Sequence, residues 1–226
     1  MSEWWTYSLS DMLLFSPRVY YRLFELHNHA LWPAQLATVA AGLGMVFALA
    51  RPSTLLTRIT FVVLGILWIW IAWAFFGERY ATINWAAPYV APAYGLEGLM
   101  LIATGLLRNR FSFGSAAAFT RTAAIILLAA ILIGYPLIAP AVGRSWSAAE
   151  VFGIAPDPTA LATLAVLAAS PRGGRLVLMV IPLLWIFIST ATLWTLQSPE
   201  YWIAPLAAVL ALAITCLRME PRRSAA

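Results

Sequence analysis

The sequence predicts an all-α integral membrane protein with about seven transmembrane helices, N-terminus out and C-terminus in. An amphipathic helix at the membrane surface precedes them. Three observations predict it. Of 226 residues, 62% are hydrophobic and only 10% charged, against roughly 25% charged in a soluble domain, and the mean hydropathy is +0.84. The apolar residues gather in seven runs, about 31–50, 55–76, 86–107, 122–142, 151–170, 176–196 and 202–217, each near the roughly 20 residues that a crossing needs. The charges between the runs alternate in sign preference, as an orientation signal does.

Residues 1–30 form the first unit, an interfacial segment. With Ser16 as cap, a helix from Pro17 places Arg18, Arg22, Glu25 and His29 on one stripe and Tyr20, Phe24, His27 and Leu31 on another. Trp4 and Trp5 are its expected membrane anchors. The bundle occupies 31–218, and 219–226 is a short basic cytoplasmic tail. Connections after runs one, three and five, with the tail after run seven, carry ten arginines; the opposite side carries Arg18, Arg22, Arg79 and Arg144. The positive-inside rule makes the ten-arginine side cytoplasmic. A re-entrant fifth run would erase this asymmetry, so seven crossings are preferred over six. In the second run, Trp68, Trp70, Trp73, Phe75 and Phe76 stand toward one end, where an interfacial belt is expected.

The fifth run is the irregular one. Pro156 and Pro158 flank Asp157, and because proline removes a donor and disfavours helix in the residue before it, Asp157 is expected to cap a helix starting at Pro158. The run then reads as a span broken at Pro156-Asp157-Pro158. Irregular backbone at membrane depth survives only against protein or a wet cavity, which makes this a candidate site.

Composition excludes several classes. All fourteen basic residues are Arg and none is Lys, so no retinal Schiff base can form. The arginines are scattered with no basic stripe, which argues against nucleic acid as a partner. Cys216 is alone, so no intrachain disulfide is available, and the N-terminus lacks the pattern of a cleavable signal. Neither histidine falls inside a span, and there is no zinc, nucleophile-elbow or dinucleotide signature. No cofactor is implied, and the pattern argues against an enzyme.

Two acids could carry chemistry. Glu97 falls near the middle of the third run, where an ionised carboxylate costs at least about 2.5 kcal/mol. Tyr94 and Thr104 share its helix face, so that face is expected to turn inward. Glu97 is either a proton-exchanging or cation-contacting group, or a buried acid hydrogen-bonded to helix backbone. Asp157 is either a cap or, at a discontinuous helix end, a ligand for an ion. Thr159 and Thr163 continue its face as a polar path, or bond their own helix. His27 and His29 lie two apart and diverge on a helix; His27, on the apolar stripe, is the candidate metal ligand and has no second ligand at metal spacing. Trp185, Ser189 and Thr192 form a mildly polar face on the sixth run.

Two stretches carry a resemblance: Trp4-Trp5-Thr6-Tyr7 through Leu13-Leu14-Phe15-Ser16-Pro17, and Phe152-Gly153-Ile154-Ala155-Pro156-Asp157-Pro158-Thr159. The chain resembles, over its whole length, an uncharacterised domain-of-unknown-function family of bacterial multipass inner-membrane proteins. The resemblance implies a bacterial inner membrane and supplies no activity. The residues themselves lead to the expectation of a small-solute or ion transporter or channel with an outward-facing cavity, Asp157 at its mouth and Glu97 deeper. The alternative is a non-catalytic subunit or scaffold of a membrane assembly. Expected partners are the lipid bilayer and either further copies of the chain or other membrane subunits.

Overall fold

The computed structural model describes residues 15–107, 112–170 and 174–217. Trp4, Trp5 and the 219–226 tail lie outside them. The described residues are helical, without strands. Helix α1 spans Pro17–Leu31, α2 Ala34–Ala50, α3 Thr54–Ile71, α4 Ala87–Leu107, α5 Ala118–Ala141, α6 Pro156–Ala168, α7 Arg175–Thr195 and α8 Ile203–Leu217. A π-helical turn, Ala72–Gly77, extends α3. The apolar runs of the sequence thus become α2 to α8.

Local chemistry sets several boundaries. Ser16 caps α1 by accepting from the Val19 amide, and Ser53 caps α3 by accepting from Leu56 at 3.1 Å. Gly174 stands at φ +80° just before α7, where a side chain would be strained. The α1 stripes fall as the spacing predicts: Tyr20, Leu23, Phe24 and His27 are buried, while Arg18, Arg22 and His29 face outward.

Among the described residues, length and hydropathy qualify four stretches as membrane spans, namely α3 with its extension through Thr82, α4, α5 and α7. The count reaches five if α1 and α2, bent by 92° to each other, form one broken span. Helix α8 is apolar but shorter. Helix α6 is a different kind of element. All thirteen of its residues are buried, and at 1.5 Å per residue it runs only about 20 Å. It packs against α5, α7 and α8, with a further contact to α3. A helix apolar on every side belongs in the centre of a bundle, and α6 is its axis.

Two expectations need correction. The α6 helix starts at Pro156, with Ala155 at the cap position, and Asp157 makes no cap bond. The motif is the first turn itself, and the break lies before it, at 151–155. The first-turn amides have no partner within a helix, so prolines at its first and third positions cost it no hydrogen bond. The side chain of Thr159 organises the break: its hydroxyl accepts from Gly153 N and donates to Ala155 O, both at 2.8 Å. Gly153, at φ +75°, could not carry a Cβ, which would meet the Thr38 side chain at 2.8 Å.

The aromatic residues of α3 are the second correction. Trp73 is exposed, but Trp68, Phe75 and Phe76 are core residues. The π turn adds a residue to the helical repeat, so the consecutive Phe75 and Phe76 both turn inward. Among the described residues the exposed tryptophans are instead Trp32, Trp73, Trp85, Trp146, Trp194 and Trp202. They sit at the start of α2, at the end of α3 and before α4, then after α5, at the end of α7 and before α8. Short connections return successive helices antiparallel, so all six belong to one end of the bundle, the end where α1 lies.

Helices α3 and α4 approach backbone to backbone. A Cβ on Gly65 would lie 2.4 Å from Gly98 O, one on Gly98 2.6 Å from Gly65 O, and one on Gly105 2.8 Å from Arg58 O. Small residues at such a crossing are the usual device where solvent supplies no hydrophobic drive. Arg58 then donates to Gly105 O at 2.8 Å and Leu106 O at 2.9 Å, satisfying carbonyls at the α4 terminus.

Candidate functional site

Asp157 sits in the first turn of α6 and is 1% exposed. Three side chains from two other helices donate to its carboxyl group. Trp185 Nε1 reaches Oδ1 at 2.7 Å, and Ser189 Oγ and Tyr135 Oη reach Oδ2 at 2.6 and 3.0 Å. The helix N-terminus adds a favourable field for negative charge. The carboxyl group therefore ties α6 to α5 and α7 at once. It is sealed inside this network and does not stand at an open mouth.

Glu97 presents the opposite arrangement. It is 0% exposed on α4, and neither carboxyl oxygen has a hydrogen-bond partner. One turn away, the Tyr94 hydroxyl is also buried and unpartnered. Tyr94 lies within electrostatic range of both Glu97 and Asp157. Its ring packs against Trp68, Phe76 and Trp185 at centroid distances of 4.2, 4.5 and 5.6 Å. Trp185 thus belongs both to this aromatic cluster and to the Asp157 network.

The other sequence candidates settle locally. Thr159 and Thr163 donate to the carbonyl four residues back, each at 2.8 Å, and Thr163 also accepts from Trp68 Nε1 at 2.9 Å. Thr104 bonds Met100 O and Thr192 bonds Ile188 O. His27 is buried edge-on against Phe75. Its ring nitrogens make no well-formed hydrogen bond, although the Ile154 main chain stands close enough to act on the ring. Burial pushes its pKa down to about 4, with a smaller push from Arg79 that the Ile154 group opposes. Among the described residues no group of three or more His, Cys, Asp or Glu is placed to hold a metal.

A polar cluster absent from the sequence reading adjoins the Asp157 network. Tyr135, Arg144, Glu150 and Glu200 line a cavity of about 10 Å³, roughly the space of one water molecule. Arg144 Nε, Glu150 Oε2 and Glu200 Oε2 are buried there without partners, although Arg144 and Glu200 form an ion pair through their other atoms. Burial holds the Glu150 carboxyl group well above the usual carboxylate range; the charges of Asp157 and Glu200 add to this and Arg144 opposes it. A second, larger pocket of about 800 Å³ opens at the α1 end, and neither Asp157 nor Glu97 lines it.

Sequence reading missed Tyr135, Glu150 and Glu200 as neighbours of Asp157. No spacing within a single helix points to them, because they come from α5, the stretch before α6 and the stretch before α8. A family model described as a family of unknown function (DUF6064) matches residues 17–225. No curated protein and no solved structure matches the chain.

Proposed function

We propose, for a chain that belongs to the family of unknown function DUF6064, that it is a seven-crossing membrane transporter of small ions, protons first among them. In this reading α2 to α8 are the crossings, α1 lies along the outer surface, and α6 is the broken central span. Arg51, Arg58, Arg121 and Arg175 belong to the ends that would face the cytoplasm, which supports N-terminus out. The setting implied by the sequence resemblance is a bacterial inner membrane.

One observation carries the reading: Glu97 and Tyr94 are buried at mid-helix with three polar atoms unpartnered. Such groups cost stability, so a purely structural account gives no reason to keep them. A polar line from the Arg144-Glu150-Glu200 cavity through Tyr135 to Asp157 supports it, and a ring contact from Trp185 to Tyr94 joins that line to the helix that carries Glu97. The conformation described is closed, since both acids are shielded from solvent.

The test uses purified protein in vesicles loaded with a pH-sensitive dye, with a potassium diffusion potential driving protons inward. Wild-type protein is expected to acidify the lumen faster than protein-free vesicles, and Glu97→Gln to fall to the protein-free rate. Wild-type protein at the protein-free rate, or Glu97→Gln at the wild-type rate, overturns the proposal.

A further inference from the structure

The arginines of the α1 end converge although they are far apart in sequence. Arg18 and Arg22 come from α1, Arg79 from the turn after α3, and Arg144 from the connection after α5. All four line the pocket of about 800 Å³, where Glu25 is the one carboxylate among the described residues. Glu25 is paired to Arg22 and Glu200 to Arg144. Arg18 and Arg79 meet no carboxylate among the described residues.

The floor of the pocket is built in advance. The Arg144 guanidinium lies 3.7 Å from the centre of the Tyr21 ring, and its side chain is only 17% exposed. Tyr21 is itself fixed through Glu200 at 2.8 Å and Ser198 at 2.7 Å. Like charges gathered in one concavity repel and concentrate counter-ions of opposite sign. Guanidinium groups suit oxyanions that accept two parallel bonds, phosphate above all. The rest of the lining includes Val19, Leu23, Leu26 and Ile83, so the ligand meets apolar as well as charged surface. The pocket also shares its end of the bundle with the six exposed tryptophans, which take the headgroup level of a bilayer.

We propose that this pocket binds a phosphate-bearing anion, held by Arg18, Arg22, Arg79 and Arg144. The proposal does not depend on the transport reading. Two sources share this chemistry, an anionic lipid headgroup and a soluble phosphate.

The experiment follows the unfolding temperature of the full-length protein in neutral detergent. One arm adds short-chain phosphatidylglycerol against phosphatidylcholine, the other inorganic phosphate against chloride at equal ionic strength. One of the two phosphate probes raises the unfolding temperature of the wild type. The concentration giving half that effect rises by at least about tenfold in Arg18→Gln/Arg79→Gln, and is unchanged in Arg121→Gln, at the other end of the bundle. Arg18→Gln alone, on an exposed side chain, shifts it in the same direction by less. A response to phosphatidylglycerol alone assigns a lipid headgroup, and a response to inorganic phosphate assigns a soluble anion. The proposal fails if neither probe shifts the wild type, or if the double variant responds as the wild type does.

Discussion

Asp157 and Glu97 are both buried acids on apolar helices, yet one accepts three hydrogen bonds from α5 and α7 while the other accepts none. The first repays its burial by joining three helices. The second has no structural return, because α4 is already held to α3 through Gly65, Gly98 and Gly105. Burial alone therefore does not separate the two acids; their hydrogen-bond partners do. That distinction can be broken by mutation.

The largest expected effect is at Asp157. Asp157→Ala orphans three buried donors, each worth on the order of 1–3 kcal/mol, and is expected to destabilise the fold by roughly 3–5 kcal/mol in denaturant unfolding in detergent. A loss below about 1 kcal/mol would mean that the network is not the anchor described.

His27 sharpens the contrast because it is buried without good partners, as Glu97 is, but stands on α1, outside the proposed crossings. Its folded pKa lies near 4, below the ordinary 6.5. The unfolded chain then binds more protons between these values, so the His27 contribution to stability is full above about pH 6.5 and is lost as pH falls toward 4. The loss approaches about 3 kcal/mol at most, since each tenfold change in proton affinity is worth about 1.4 kcal/mol. The difference between wild type and His27→Phe, measured across that range, isolates it. Parallel curves would show that His27 is not buried as described.

Gly98→Ala comes next. The added methyl group would lie 2.6 Å from Gly65 O, and forcing the helices apart is expected to cost about 2 kcal/mol. The same unfolding measurement checks it, and an unchanged midpoint would deny the close crossing. Tyr135→Phe is the smallest, at about 1 kcal/mol, since it removes one of the three donors and leaves the ring in place.

Much of the fold could be read from the sequence because its signals are local. The apolar runs became α2 to α8 with boundaries close to those predicted, and Ser16 caps α1 from the position its hydroxyl requires. Glu97 and Asp157 stood out through the cost of a carboxyl group in an oily run. What escaped was non-local. Tyr135 and Ser189 lie 22 and 32 residues from Asp157, and nothing in the spacing of single helices brings them together. Arg18, Arg79 and Arg144 read as scattered orientation charges until the fold gathered them. Phe75 and Phe76 were misplaced because a π turn, not a regular helix, carries them.

On the proposed function, Glu97 is retained for what it does, not for what it holds. The decisive measurement is the proton-uptake rate of Glu97→Gln vesicles per folded molecule, with the unfolding midpoint of the same preparation recorded. Uptake at the protein-free rate with an undiminished midpoint is the predicted result. Uptake at the wild-type rate with a lowered midpoint would contradict it and return Glu97 to the structure.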